Sequence, residues 1–100
     1  MLHHDEIDRR EDLIHQVRAA LDARHLPMPL FDATGDLDHG ALRTALAPLG
    51  FRFDGLRQTL DLAWRATFVA ADGHVIIADA FSREDALAAA VISALEGLPA

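Results

Sequence analysis

"TLDLAWRATFVAADGHVIIADAF", residues 59–81, decides the fold of this chain. Its first half alternates, which places successive side chains on opposite sides of a strand. One set is almost wholly apolar: Leu60, Leu62, Trp64, Ala66, Phe68 and Ala70. The other set is mixed: Asp61, Ala63, Arg65, Thr67 and Val69. The pattern predicts a long strand over residues 60–70 and, after Asp72-Gly73, a second strand antiparallel to it.

The Asp72-Gly73 pair predicts a two-residue hairpin turn, because type I′ turns need positive φ at both central positions. Such a turn fixes the register of the two strands. The expected opposite pairs are Ala71 with His74, Phe68 with Ile77, and Trp64 with Phe81. The same register places Val75, Ile77 and Phe81 on the Trp64 side of the sheet and leaves Ile76 on the second side.

Asp79 is the unusual residue of this hairpin, because the predicted register sends it to the core side, opposite Ala66. An unpaired carboxylate is costly there. One interpretation is a functional carboxylate whose pKa is raised by partial burial. We favour the other, in which a helix N-terminus, Arg65 or Arg83 satisfies Asp79, since one carboxylate makes no acid–base pair.

The flanking segments predict three helices and one more strand. Leu13, Ile14, Val17, Ala20 and Leu21 form the apolar stripe of a first helix, whose start, up to residue 12, is solvated. A linker over 27–37 leads to a short helix with Asp36 or Asp38 as N-cap. A short strand from Phe51 to Phe53 with an Asp54-Gly55 turn follows. Ser82 caps the closing helix, which ends at Gly97 and Pro99.

The predicted fold class is therefore α+β: a single compact α-α-β-β-β-α domain over 1–100, with an antiparallel three-stranded sheet and helices on one or both faces. The second sheet face carries Ala63, Thr67, Val69 and Ile76 and is too apolar to be fully solvated. Either the helices divide between the two faces or the second face pairs in a homodimer, which we expect. Val69, Ile76, Asp61 and Arg65 are the predicted interaction residues.

Composition excludes several function classes. The chain has 16 acidic and nine basic residues, the latter all arginine, with a net charge of −7 and no cysteine. Nucleic-acid affinity depends largely on cationic side chains, so no direct nucleic-acid binding is expected. No apolar run approaches the length of a membrane span, and the N-terminal residues lack the order of a signal peptide. We expect a cytoplasmic protein with no membrane contact.

Metal and catalytic sites are not predicted. "FDATGD", residues 31–36, resembles the opening of a calcium loop, but Leu37 stands where the loop needs glycine and no bidentate glutamate follows. His4 with Asp8, and Glu11 with His15, have the i,i+4 spacing of metal ligands, yet no third ligand is placed. No nucleophile has an evident base. We therefore expect no catalytic residues, no metal and no cofactor.

The C-terminal segment "LAWRATFVAADGHVIIADAFSREDALAAAVISALEGL" resembles the small phage and prophage ABA-sandwich domains. These have a Trp-containing strand, a hairpin and a Ser- or Thr-capped, alanine-rich helix. The segment is also similar to antitoxins of the HicB type, which neutralise a small toxin. The first resemblance implies an α-β-β-β-α layout and no chemistry; the second implies a protein partner.

Together these observations predict a small acidic, non-enzymatic protein-interaction module, encoded by a phage or another mobile element. One concrete form is an inhibitor that binds the basic, nucleic-acid-binding surface of a protein partner. Two alternatives stay open: an antitoxin-like neutralising protein, and a small metal-dependent protein that uses its histidines.

Overall fold

The computed structural model describes residues 2–24 and 30–97, with side chains from Arg10 onward. The elements, in chain order, are α1 (Leu2–Arg24), α2 (His39–Thr44), a 3₁₀ helix (Ala47–Leu49), β1 (Phe51–Gln58), β2 (Trp64–Ala70), β3 (Val75–Ala80) and α3 (Arg83–Glu96). The strands form one antiparallel sheet in the order β1-β2-β3. The predicted α+β class and element order are confirmed. Within the described ranges no helix combines the length and apolar character needed to cross a bilayer.

The helices gather on one face of the sheet. α3 packs on β2 and β3, and α1 and α2 pack on α3. The core lies between α3 and the sheet, where Phe68 meets Leu87, Val91 and Leu95, all fully buried. Four alanines of α3 are also buried, and their small side chains allow the helix to approach the strands closely. Among the described residues the core holds no polar or charged side chain.

The β2–β3 hairpin has a three-residue loop rather than the predicted two-residue turn. Phe68 lies opposite Ile76. The Ala70 nitrogen donates to the His74 oxygen at 2.7 Å, and the Gly73 nitrogen donates to the Ala70 oxygen at 2.9 Å. Gly73 has a φ of 92°, which suits the left-handed position that ends such loops. The predicted pairs of Phe68 with Ile77, Ala71 with His74 and Trp64 with Phe81 are therefore wrong.

This shift of one residue moves every β3 side chain to the other face, because the side-chain period of a strand is two. Ile76, predicted on the second face, is only 8% exposed and belongs to the core. Val75 and Ile77, predicted toward the core, point away from the helices and are exposed. Asp79 likewise lies on the exposed face, not opposite Ala66, and its partner there is Arg65.

The predicted long strand over 60–70 is wrong in its first part, because β2 begins at Trp64. Residues 59–63 instead form the turn that joins β1 to β2. The Thr59 nitrogen donates to the Ala63 oxygen at 2.7 Å, and the Leu62 nitrogen donates to the Thr59 oxygen at 3.0 Å. Leu62 has a φ of 63°, an unusual left-handed conformation for a bulky residue. The alternation of apolar residues continues from β2 into the turn, so it does not mark where the strand begins.

β1 is longer than predicted and contains no turn at Asp54-Gly55. It runs to Gln58, and its register with β2 shifts between Phe53 and Gly55, so that Asp54 is an extra residue. This is a β-bulge, which leaves one residue unpaired and bends the strand. β1 and β3 are the two edges of the sheet, and only β1 carries a bulge.

The described part of the predicted linker over 27–37 is packed rather than free; residues 27–29 lie outside the described residues. Phe31 and Leu37 form an isolated antiparallel bridge, and Leu30 and Leu37 are buried in the core. Asp38, one of the two candidate N-caps, caps α2 by accepting a hydrogen bond from the Ala41 nitrogen at 3.1 Å. The segment therefore forms a small hairpin that leads directly into α2.

Arg10 ties α1 to the start of α3, although the sequence predicts a solvated helix start. Its guanidinium donates to Asp85, to Asp36 at 2.9 Å and to the Ser82 hydroxyl at 3.0 Å. Ser82 is also the N-cap of α3, accepting from the Asp85 nitrogen at 3.1 Å. Burial lowers the pKa of Arg10, but the bonds to Asp36 and Asp85 outweigh it and raise this pKa overall. The cluster links α1 to the start of α3 and to Asp36.

Candidate interaction surface

The sheet face opposite the helices, called the open face below, is the clearest candidate surface. Its residues form three rows across β1, β2 and β3: Arg52, Val69 and Val75; Gly55, Thr67 and Ile77; Arg57, Arg65 and Asp79. Strand geometry places them on one side because Phe68 and Ile76, their immediate neighbours, point into the core. No helix of the described ranges packs on this side of the sheet.

One half of the open face is apolar. Val75 is 47% exposed and Ile77 is 56% exposed, and both lie on the edge strand β3. Val69, half-buried, is the cross-strand partner of Val75, and Thr67 is the partner of Ile77. Phe81, just after β3, adds an aromatic ring that is 65% exposed. Isolated exposed apolar side chains are ordinary, but a contiguous group is typical of an interaction surface.

The other half of the open face is charged. Arg65 Nε donates to Asp79 Oδ1 at 2.8 Å, and Arg65 Nη2 donates to Asp79 Oδ2 at 3.0 Å. The hydrogen bond from Arg65 lowers the pKa of Asp79, and the same pair raises the pKa of Arg65. Arg52 donates to Asp54 at 3.1 Å. Arg57 lies directly opposite Arg65 and has no carboxylate partner among the described residues.

The charge of the open face differs from that of the whole chain. Arg52, Arg57 and Arg65 stand against Asp54 and Asp79, which gives this surface a net charge of +1. The chain carries −7, so the remaining residues carry −8. Like charges repel at short range, and that repulsion is weakest where the local charge is small. Another acidic molecule therefore meets less repulsion at the open face than the net charge of the chain suggests.

The four predicted interaction residues do not form one surface. Val69 and Arg65 both belong to the open face. Ile76 does not, because it is buried under α3. Asp61 lies in the turn over 59–63, beyond the end of β2 that is distant from Val69. The residues that replace them, Val75 and Ile77, were missed because the register was shifted by one.

The predicted loop and histidine features give no metal centre in the described part of the chain. Asp32 Oδ1 accepts from the Thr34 nitrogen at 2.8 Å, the Thr34 hydroxyl at 2.5 Å and the Asp36 nitrogen at 3.1 Å. The hydrogen bond from the Thr34 side chain is the main reason that the pKa of Asp32 is lowered. Asp32 is thus committed to the loop itself.

Among the histidines, His15 and His74 are exposed and His39 is half-buried. The predicted pair of His4 with Asp8 lies outside the described side chains. Glu11 and His15 share the surface of α1 without a third ligand. No group of three or more histidine, aspartate or glutamate residues in the described ranges is placed to hold a metal ion.

Comparisons with family models, with curated proteins and with solved structures give no match to this chain.

Proposed function

We propose that this protein is a non-enzymatic interaction module whose open face binds a second copy of the chain. The observation that supports this most directly is the apolar group of half-buried Val69 and exposed Val75 and Ile77, on a sheet face that no helix of the described ranges covers. A two-fold axis through this group brings the same residues of both copies together. The partner is a second copy because the open face is self-complementary in composition, with apolar and paired charged halves.

Charge favours this face over the acidic surface of α1. Two copies of a chain with a net charge of −7 repel one another, except where the local charge is small or positive. The open face, at +1, meets that condition, and pairing through it keeps the acidic remainder of each copy on the outside. Glu11, Asp12 and Asp22 of α1, all exposed, are part of that outside.

The size of the open face sets the expected affinity. Three strands about 4.8 Å apart and six to eight residues long span roughly 15 by 20–25 Å. That footprint is small beside the ~800 Å² per partner of a standard interface. We therefore expect a reversible dimer with a dissociation constant on the order of 10 µM or weaker.

Sedimentation equilibrium of the parent and of Ile77→Glu, over concentrations that bracket this constant, tests the proposal. We expect the parent to dimerise and Ile77→Glu to stay monomeric, because two buried carboxylates would oppose one another. Leu60→Glu is the matched control: Leu60 is fully exposed, lies in the turn over 59–63, and is not part of the open face. Ile76→Glu is unsuitable, because it places a charge in the core.

Two results would contradict the proposal. The parent could remain monomeric at every concentration, which would leave the open face without its proposed occupant. Alternatively, Leu60→Glu could dissociate the dimer as fully as Ile77→Glu, which would place the contact at the turn. Both variants change exposed residues, so their melting temperatures should stay close to that of the parent and exclude unfolding as the cause.

A second candidate function uses the acidic outside. Glu11, Asp12 and Asp22 have no ion-pair partner among the described residues, so their charge is available to a basic surface of a protein partner. This is the inhibitor or antitoxin-like role that the sequence predicts. Binding of an arginine-rich peptide that weakens with salt, and that weakens further in a Glu11→Gln, Asp12→Asn variant, would support it. Equal binding by parent and variant would argue against it.

A further inference from the structure

A concave site lies on the helix side of the sheet, opposite the open face, at the corner where α2, β1, β2 and the start of α3 meet. The cavity has a volume of about 330 Å³. Its walls are built from two aromatic rings, one leucine, two arginines and one histidine: Phe53, Trp64, Leu56, Arg43, Arg83 and His39. Ligand cavities in proteins begin at about this volume, which accommodates one ring and a substituent.

Both arginines of this cleft hold the guanidinium group over an aromatic ring. The guanidinium carbon of Arg43 is 4.6 Å from the centre of the Phe53 ring, and that of Arg83 is 4.6 Å from the centre of the Trp64 ring. A guanidinium carries five N–H donors, so a contact with a ring leaves donors for a ligand. A guanidinium matches the geometry of a carboxylate or phosphate.

Neither arginine is neutralised by a carboxylate of the described residues. Glu84, which follows Arg83 in the chain, lies 3.8 Å from His39 Nδ1 and 4.0 Å from Arg10 Nη2. Its carboxylate therefore contacts His39 and Arg10. The cleft keeps the positive charge of Arg43 and Arg83 on a chain whose overall charge is −7.

A purely structural role accounts for part of this arrangement, because an arginine side chain over an aromatic ring shields the ring from water. It does not account for two unpaired arginines, contributed by different helices, on the wall of one cavity of ligand size. Both arginines are exposed, so water screens their repulsion, and an anion in the cavity could accept charge-assisted hydrogen bonds from them. The combination of apolar walls and convergent cationic groups is typical of a small-molecule site.

We propose that this cleft binds a small organic anion. Its ring or aliphatic body lies against Trp64 and Leu56, and its carboxylate or phosphate accepts hydrogen bonds from Arg43 and Arg83. The site is separate from the open face, because Phe53, Leu56 and Trp64 point to the helix side of the sheet. Ligand binding here and dimerisation there are therefore independent and can succeed or fail separately.

Trp64 is the only tryptophan of the chain, so its fluorescence reports directly on the cleft. Phenyl phosphate and phenylacetate are the two anionic probes, and they distinguish a phosphate ligand from a carboxylate ligand. Benzyl alcohol provides the ring without the charge, and inorganic phosphate provides the charge without the ring. We expect a saturable change with at least one anionic probe, clearly weaker binding of inorganic phosphate, and no saturable change with benzyl alcohol.

Arg43→Gln and Arg83→Gln should each weaken binding of the responsive probe by about tenfold or more, because each removes a charge-assisted hydrogen bond. Arg57→Gln is the matched control: it removes an unpaired arginine from the open face and should leave the affinity unchanged. Affinities are compared rather than signal amplitudes, since loss of Arg83 also changes the surroundings of Trp64.

Several outcomes would overturn the proposal. Absence of a saturable change with both anionic probes means that the cleft holds no organic anion. Parent-like affinity in both arginine variants, or an equal loss in Arg57→Gln, means that the charge of the cleft does not hold the ligand. Inorganic phosphate binding as tightly as phenyl phosphate means that the apolar walls contribute nothing.

Discussion

Arg65 and Asp79 face each other across β2 and β3 on the open face, joined by two parallel hydrogen bonds of 2.8 and 3.0 Å. Such a bidentate pair is the most directional form of ion pair between side chains. It sits at the centre of the charged half of the open face, beside Arg57. Because both side chains are well exposed, the pair orders the surface more than it stabilises the fold.

The pKa of Asp79 should be below the ordinary value of an aspartate, because the Arg65 hydrogen bond favours the ionised carboxylate. A lowered folded-state pKa contributes stability above the unfolded-state pKa, and this is lost as the pH falls through the folded-state value. In Arg65→Gln we expect the Asp79 pKa to return toward the ordinary value. Carboxyl chemical shifts followed by NMR from neutral to acid pH measure it. An unchanged Asp79 titration would mean that the pair does not persist in solution.

Arg10 should matter more for stability than any other arginine of the described side chains. Arg10→Gln leaves Asp85 and Asp36 without their shared cation, so we expect unfolding to become easier by about 2 kcal/mol. Urea or thermal unfolding measures this change. Arg57→Gln is the control, because Arg57 is exposed and unpaired, and it should be close to neutral. Equal effects of the two substitutions would show that the Arg10 cluster adds nothing to the fold.

Gly73→Val should destabilise the β2–β3 hairpin. Gly73 has a φ of 92°, and a left-handed conformation costs a side chain with a Cβ roughly 1–2 kcal/mol, more when the residue is β-branched. Ala71→Val, in the same loop but without positive φ, should have a much smaller effect. If thermal unfolding shows the two variants to be equally stable, the loop does not hold Gly73 in that conformation.

Leu62→Gly should stabilise the protein, the opposite of the usual effect of a leucine-to-glycine change. Leu62 has a φ of 63° and is 73% exposed, so the substitution relieves a strained backbone and removes little packing. Relief of roughly 1–2 kcal/mol exceeds the ~0.5–1 kcal/mol that the added chain freedom costs. Leu60→Gly, in the same turn without positive φ, should instead destabilise slightly. Chemical unfolding of both variants measures the difference, and destabilisation by Leu62→Gly would contradict this assignment of strain.

The element types and order could be predicted from periodicity and caps, because those signals are local. Val17 and Leu21 of the first stripe are buried, and Ser82 caps α3 as its position indicates. The register of the β2–β3 hairpin could not be predicted, because Asp-Gly is compatible with loops of two or three residues. Ile76 and Ile77 are the same residue type, so hydrophobicity could not indicate which of them faces the core. The opposite charges of Arg65 and Asp79 were the one available signal, since such residues favour directly opposed positions.

The two clusters of long-range contacts could not be predicted from the sequence, for a different reason. Arg10 meets Asp36 and Asp85, which are distant in sequence, and the Arg43 and Arg83 cleft draws on four separate elements. A single chain read residue by residue carries no signal for such meetings. These contacts depend on how α1 and α2 pack on α3. The apolar stripes of the helices do not determine that packing.

The two edge strands of the sheet differ in how well they resist pairing with strands of other molecules. β1 is protected against pairing with foreign strands by its bulge and by the charges of Arg52 and Arg57. β3, with the sequence "VIIADA", is regular and contains no proline or lysine. Its one charged residue, Asp79, is paired with Arg65. When heat or denaturant loosens the molecule, we expect β3 to be the strand along which neighbouring chains pair. A charged residue at Ile77 should slow such aggregation.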